Sequence, residues 1–344
     1  MTDILSMDLE TLKEYVVSLG EKAFRAGQIY RCLHLEMVSS YEEMTTLSLA
    51  LRKRLSEEAP LQRAAIETVQ ISREDGTRKY LFRMADGHFV ESVFMKYHHG
   101  NTVCISSQVG CRMGCRFCAS TIGGKTRDLT AGEMLGQIEQ IQKETGERIS
   151  NVVVMGTGEP LDNYDNLVRF IRLLTDENGL HISQRNVTVS TCGLAPMILK
   201  LAEEGFQINL ALSLHAPEDA LRQTIMPIAR AYPLKEVMEA MDIYYEKTGR
   251  RLTFEYSLIR GTNDTDDCVR ALSRLLKGKE ALVNLIPVNP VRERSYRGTD
   301  RAETLAFQKK LEKNGLHVTI RRELGRDIDG ACGQLRKRYE SDPV

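Results

Sequence analysis

The feature that most constrains the fold is an alternation of apolar strand-like segments and amphipathic helical segments from about residue 100 onward. Apolar, β-branched runs predict six strands at residues 102–106, 151–155, 186–191, 207–214, 251–258 and 282–287. Helical periodicity predicts helices between them at 131–145, 163–174, 196–204, 234–247 and 267–276. Six such β-α units predict a parallel sheet curled into a partial barrel, with its chemistry at the carboxyl ends of the strands.

The remaining segments predict additions to this barrel. Residues 1–60 carry a helical apolar rhythm, which predicts a helical accessory domain; its interleaved basic residues are able to contact phosphates, although a solvated helix face is the default for any one of them. Residues 61–98 alternate in short runs around two Asp-Gly turns, which predicts a small antiparallel β extension. The barrel then spans 99–325, with a last strand at 317–321, and 326–344 form a polar tail. The predicted fold class is α/β, a partial (β/α)6 barrel of the TIM type with these two additions.

Composition restricts the partners and the compartment. Lys plus Arg and Asp plus Glu both number 47, so no overall positive field drives non-specific nucleic-acid binding. We therefore expect any RNA-binding residues to be segregated on one face. The chain has no apolar run of about 18 residues, and it begins with a polar, acidic segment. These features, with cysteines that are mostly scattered, predict a cytoplasmic protein that does not contact a membrane.

A tight cysteine motif predicts the cofactor. Cys111, Cys115 and Cys118 lie within eight residues of a Gly-containing polar loop that follows the first barrel strand. Thiolates select iron-sulfur clusters, zinc or copper, and three close thiolates leave one metal corner open for a small molecule. The alternative is a structural zinc site in which Cys104 or a histidine is the fourth ligand.

Other candidate residues follow the ends of the predicted strands. The segment 156–160 has two glycines that allow close backbone approach to a ligand, and its Glu159 can accept a hydrogen bond from an ammonium group. Ser190, Ser213, His215 and Asn289 follow later strands. Each of them alone could cap a helix or close a turn, but their common rim favours a ligand site.

These motifs resemble a known family. The C-x3-C-x2-C spacing with Phe117 before the last Cys resembles the radical S-adenosylmethionine enzymes. The wider set of motifs resembles the dual-specificity adenine-carbon-2 RNA methyltransferases, and it comprises Cys104, 111–118, 156–160, 213–215, 284–290 and 331–335. Those enzymes methylate an adenosine in the peptidyl-transferase centre of 23S rRNA and, in many bacteria, the adenosine next to the tRNA anticodon. The resemblance also implies a 4Fe-4S cluster, two S-adenosylmethionine molecules per turnover, and an electron donor such as flavodoxin.

The resemblance further implies a role for each site residue. Cys111, Cys115 and Cys118 would hold the cluster. The implied S-adenosylmethionine contacts are Phe117, Gly158, Glu159, Ser190, Ser213, Leu214, His215 and Asn289. Cys332 in the tail would carry the methyl group, and a 5′-deoxyadenosyl radical would take a hydrogen atom from it before addition to adenine. Glu91 would remove the ring proton, and Cys104 would form a disulfide with Cys332 that releases the product.

Two alternatives to this function stay open. The related carbon-8 methyltransferases of the same ribosomal adenine, which give antibiotic resistance, share the motifs. Segments 156–163 and 284–290 resemble the carbon-2 enzymes more closely. The more distant alternative is a non-enzymatic, metal-stabilised RNA-binding module, which would form no 5′-deoxyadenosine.

Overall fold

The helices and strands follow the predicted alternation closely. The computed structural model describes residues 2–291 and 293–328. The α-helices are α1 (Leu9–Ser18), α2 (Phe24–His34), α3 (Leu49–Glu58), α4 (Ala131–Thr145), α5 (Tyr164–Thr175), α6 (Ala195–Glu203), α7 (Asp219–Ile225), α8 (Leu234–Thr248), α9 (Asp266–Leu276) and α10 (Arg301–Lys313). The strands are β1 (Ala65–Ile71), β2 (Arg78–Arg83), β3 (Phe89–Tyr97), β4 (Gly100–Ile105), β5 (Gln108–Gly110), β6 (Lys125–Asp128), β7 (Asn151–Val154), β8 (Val187–Thr191), β9 (Asn209–Ser213), β10 (Leu252–Leu258), β11 (Ala281–Pro287) and β12 (His317–Ile320).

Ten of these strands form one sheet in the order β1-β2-β3-β4-β7-β8-β9-β10-β11-β12. Strands β4 and β7 to β12 are parallel, which confirms the predicted β-α units and the predicted last strand. Strands β1 to β3 are antiparallel, as predicted for the extension. They do not form a separate sheet, because β3 pairs with β4 and so continues the barrel sheet.

Local sequence signals set the helix ends. Helix α4 begins at a capping box in which Thr130 accepts the backbone N–H of Glu133, and it ends at Gly146 with a φ of 67°. Helix α8 ends in the same way at Gly249, whose φ is 63°. A residue without a Cβ takes this left-handed conformation at little cost, so the glycines define where each helix stops and the next strand begins.

A buried polar cluster joins the amino-terminal helices to the barrel. Glu139 of α4 accepts a hydrogen bond from His34 Nδ1 at 3.0 Å, and its other oxygen pairs with Arg63. Arg63 also donates to the carbonyl oxygens of Leu33 at 2.7 Å and Val38 at 2.8 Å. Burial alone would raise the pKa of Glu139, but the contacts with His34 and Arg63 lower it below its ordinary value.

Strand β3 and the segment after β12 face one cavity of about 490 Å³. Its walls include Val93 and Tyr97 of β3 at one side and residues 321–326 and 328, after β12, at the other. Because β3 and β12 are far apart in the strand order, the sheet must curl for both to line the same space. Among the described helices, none combines the length and the apolarity needed to cross a membrane.

Candidate active site

The cysteine loop lies between β5 and β6, an antiparallel pair that sequence patterns did not predict. The backbone N–H of Cys111 donates to Gly124 O at 3.0 Å, which closes the base of the loop. At the other side, the N–H of Arg116 donates to Ile225 O of α7 at 2.8 Å, and Gly114 packs near the Pro227 ring. The loop is therefore anchored both to its own hairpin and to the end of α7.

The three cysteine thiols influence one another electrostatically. Burial raises the pKa of Cys111 to about 12, and the negative charge of Cys118 adds to this effect. Burial raises the pKa of Cys115 well above its usual value, with further contributions from Cys118 and Cys111. Thiolates buried this close together need a cation to balance their charge, so the donor set fits an iron-sulfur cluster. Among the described residues, no group of three such side chains is already arranged as a metal site.

The segment after β7 packs against the strand end that leads into the cysteine loop. Thr157 O accepts the backbone N–H groups of Ser107 at 2.9 Å and Gln108 at 3.1 Å. Gly158 has a φ of 119°, and a Cβ at this position would lie 2.6 Å from the Ser107 hydroxyl. Glycine is thus required here both by conformation and by space.

Glu159 is buried at the centre of this segment. Its two carboxylate oxygens accept the N–H groups of Leu161 at 3.1 Å and Cys192 at 2.8 Å. Burial raises the pKa of Glu159, while these hydrogen bonds oppose the rise. The carboxylate therefore already connects the ends of β7 and β8, and its assignment to a substrate ammonium group stays a prediction.

His215, after β9, is held in one protonation state. Its Nδ1 accepts the backbone N–H of Ser257 at 3.0 Å, so the ring is neutral with its hydrogen on Nε2. Burial, with the nearby positive charge of Arg222, lowers the pKa of His215 to about 3. The ring meets Phe117 edge to face, with centroids 5.0 Å apart. The histidine thus offers a fixed N–H donor beside the cysteine loop.

The cavity brings together seven of the predicted site residues: Cys104, Phe117, Cys118, Ser190, Ser213, His215 and Asn289. Ser190 and Ser213 lie with their hydroxyl oxygens 3.2 Å apart, at the ends of β8 and β9. The cavity lining does not include Glu91, Cys111, Cys115, Gly158, Glu159 and Leu214. Cys332 lies outside the described residues.

Glu91 differs from the usual expectation for a carboxylate in a strand, which is exposure to solvent. It is 4% exposed, and its Oε2 lies 2.7 Å from the ammonium group of Lys79, which is also buried. An ion pair can bury a carboxylate in this way because the two charges compensate each other. Its assignment as a base stays a prediction.

Two charged residues at the site were missed by the sequence patterns. Glu255 of β10 lines the cavity and accepts the amide of Asn284 at 2.9 Å, while burial raises its pKa. Arg222 of α7 is fully buried and donates to Cys192 O at 2.6 Å and Leu214 O at 3.1 Å. A carboxylate inside an apolar strand was a visible signal for Glu255. Nothing in the sequence around Arg222 indicated burial.

Comparisons with known proteins identify the family. Residues 105–274 match the model of the radical SAM superfamily, and residues 2–61 match the model of the ribosomal RNA large subunit methyltransferase N-terminal domain. A probable dual-specificity RNA methyltransferase RlmN from Lachnospira eligens is 60% identical over 99% of this chain and 98% of its own length. The corresponding protein from Lachnoclostridium phytofermentans is 59% identical over 98% of this chain and 95% of its own length.

A solved structure agrees with the sequence relatives. The crystal structure of a radical SAM methyltransferase from Sphaerobacter thermophilus superimposes with a TM-score of 0.93 and 40% identity, covering 97% of this chain and 99% of that one. Membership of the superfamily implies a 4Fe-4S cluster and S-adenosylmethionine as cofactors. The chain is therefore an enzyme of the radical SAM superfamily and belongs to the RlmN family of dual-specificity RNA methyltransferases.

Proposed function

We propose that this enzyme methylates carbon 2 of a specific adenosine in the peptidyl-transferase centre of 23S rRNA and of the adenosine next to the anticodon in tRNA. The observation that carries the proposal is the cavity shared by the cysteine loop, the strand-end polar groups and Ile328. Ile328 is four residues before Cys332, a span of at most about 14 Å in an extended chain. The enzyme would work in the cytoplasm with a one-electron donor such as flavodoxin.

The bound cluster and S-adenosylmethionine would supply a carbon radical, which carbon 2 of adenine requires because it has no nucleophilic lone pair. Cys111, Cys115 and Cys118 would hold the cluster by their thiolates. Ser190, Ser213 and the Nε2–H group of His215 would orient S-adenosylmethionine in the cavity. The remaining proposed contacts are Phe117, Gly158, Glu159, Leu214 and Asn289.

The thiols outside the cluster loop would do the group transfer. Cys332 would attack the methyl group of a first S-adenosylmethionine, forming an S–C bond while S-adenosylhomocysteine leaves; a second molecule would be used for the radical step. Glu91 would accept the ring proton. Its Oε2 is paired with the ammonium group of Lys79, so either this ion pair would open or the other carboxylate oxygen would take the proton. Cys104 lines the cavity and would then attack Cys332 to release the RNA.

Each segment of the sequence has its own proposed role. Residues 1–60 would bind RNA, 61–98 would extend the sheet, 99–325 would form the catalytic barrel, and 326–344 would carry Cys332. Exposed lysines on the helical segment, such as Lys22 and Lys53, support RNA binding there. The match of residues 2–61 to a domain named for ribosomal RNA methyltransferases supports the same assignment.

Reaction of anaerobically reconstituted enzyme with isolated 23S rRNA and tRNA tests this proposal. Nuclease digestion and mass spectrometry should reveal 2-methyladenosine in both RNAs. Detection of 8-methyladenosine would assign the chain to the carbon-8 chemistry, and absence of 5′-deoxyadenosine would leave only an RNA-binding role. Product in rRNA alone would remove tRNA from the proposal.

Three cysteine variants test the roles of the thiols. Cys332→Ala should abolish transfer of a labelled methyl group to the protein. Cys104→Ala should allow that transfer but trap a protein–RNA adduct, visible as a shifted band on a denaturing gel. Cys32→Ala is the matched control, because Cys32 is buried in α2 and does not line the cavity. Free product release from the Cys104 variant would contradict the resolving role.

A further inference from the structure

Side-chain hydrogen bonds join the segments that follow the two outermost strands of the large sheet. In the described part of the chain, β1 and β12 end the strand order and are not paired with each other. The segment after β12, residues 321–328, instead contacts the turn at 72–77 between β1 and β2. These contacts connect positions about 250 residues apart in the chain, so they close the open side of the barrel.

Two carboxylates make this connection, and we call them with their partners the Asp clamp: Ser72, Arg73, Asp75, Gly325 and Asp327. Asp327 accepts the Ser72 hydroxyl at 2.6 Å and the Arg73 N–H at 2.8 Å. Asp75 accepts the Gly325 N–H at 2.9 Å. Each segment thus contributes one carboxylate and at least one donor, which fixes both position and orientation.

The local backbone is shaped to fit the clamp. Asp75 also accepts the N–H of Thr77 at 2.9 Å, so both of its oxygens are used. Gly325 has a φ of 62°, and a Cβ there would lie 3.0 Å from the Ile328 side chain. Hydrogen bonds from Ser72 and Arg73 lower the pKa of Asp327, as expected when a structure stabilises the charged carboxylate.

The clamped segment forms a wall of the cavity. Arg321 and Ile328 at its two ends both line the space that also contains Cys104 and His215. The clamp therefore fixes the wall at the point where the chain departs toward Cys332. A carrier thiol works only within bonding distance of its reactants, and holding its attachment point restricts the volume it must search.

We propose that the Asp clamp positions the carboxy-terminal arm, by which we mean the tail residues that follow Asp327, for methyl transfer. Asp75 and Asp327 are then positioning residues. This inference rests on the proposed carrier role of Cys332. Loss of the clamp frees the arm, so S-adenosylmethionine is still cleaved but fewer cleavage events yield methylated RNA. The readout that a purely structural role would not move is the ratio of 5′-deoxyadenosine to methylated adenosine.

The test compares Asp327→Asn and Asp75→Asn with Asp266→Asn. Asp266 is the matched control, because it is also an aspartate in a side-chain contact, here with Lys310 at the surface, and it does not line the cavity. Backbone amides of Arg73 and Gly325 should exchange with deuterium about tenfold faster in the clamp variants. The ratio of 5′-deoxyadenosine to product should rise about tenfold, and neither quantity should change in the control.

Ser72→Ala serves as a milder variant, because it retains both carboxylates and removes only the Ser72 hydroxyl, which donates to Asp327 and accepts the N–H groups of Glu74 and Asp75 within the turn. If the Asp variants do not fold, the same two changes, smaller in size, should appear in this variant. Unchanged deuterium exchange at the amides of Arg73 and Gly325 would overturn the inference. Faster exchange would also overturn it if the ratio of 5′-deoxyadenosine to methylated adenosine stayed at the wild-type value. If the wild-type chain never carries the label on Cys332, the proposed function fails instead, while the exchange data still report whether the clamp holds.

Discussion

Replacing Glu139 measures how strongly the amino-terminal helices are held to the barrel. Its side chain is 2% exposed, and that of its partner Arg63 is 8% exposed. Removing one member of a buried ion pair leaves an uncompensated charge and costs about 3–5 kcal/mol. We therefore expect Glu139→Ala to lower the free energy of unfolding by about 3–5 kcal/mol. Glu139→Gln should cost less, because its amide oxygen still accepts one hydrogen bond.

The same carboxylate should contribute to acid sensitivity. Its pKa is lower in the folded chain than the value of about 4.3 expected when unfolded. The stabilisation it provides is therefore present above that value and is lost as the pH falls through the folded pKa. Glu139→Gln should consequently lose less stability than the wild type between neutral and acidic pH.

Urea denaturation followed by circular dichroism, at neutral pH and at several pH values below about 4, provides both measurements. Glu36→Gln is the control, because Glu36 pairs with Arg31 at the surface, where the two side chains are 47% and 67% exposed. Its effect should stay within about 0.5 kcal/mol. If Glu139→Ala cost less than about 1 kcal/mol, the cluster would be well compensated without its carboxylate, and the reasoning from an uncompensated buried charge would be wrong.

The other predictions concern the site itself. Gly158→Ala should cost about 1–3 kcal/mol by overpacking, measured by denaturation, whereas Gly136→Ala, which has space for a Cβ, should not destabilise the chain. His215→Phe should cost about 1–3 kcal/mol because the Ser257 N–H loses its acceptor, and equal stability would contradict the assigned tautomer. Arg222→Gln should make the cluster harder to reduce and Arg222→Lys less so, as measured by potentiometric titration with electron paramagnetic resonance.

The barrel was predictable because its strands are rich in apolar and β-branched residues. The strand predicted at 151–155 was placed within one residue of β7, where Val152, Val153 and Val154 form the continuous apolar run typical of a buried parallel strand. Strands β5 and β6 were missed because they are three and four residues long and polar. Their pairing depends on the cysteine loop between them and not on local propensity.

The site was predictable where chemistry is encoded by spacing, as in the cysteine motif. Burial of charge was not predictable where it depends on a partner from another strand. Glu91 needs Lys79 from the neighbouring strand, a pairing that the register of β2 and β3 brings about. The exposed Asp327 meets Ser72 from the opposite end of the sheet, a contact that forms only once the sheet has curled.

The neutral state of His215 has a consequence for how the enzyme responds to acidity. A ring whose pKa is about 3 stays neutral, with one proton arrangement, at any pH above about 5. Any change of rate with acidity in that range must then originate elsewhere, in the thiols, the nucleobase or the electron supply. When the rate of an enzyme depends on pH near neutrality, a histidine in the active site is the usual candidate for the titrating group. Here that assignment would be wrong.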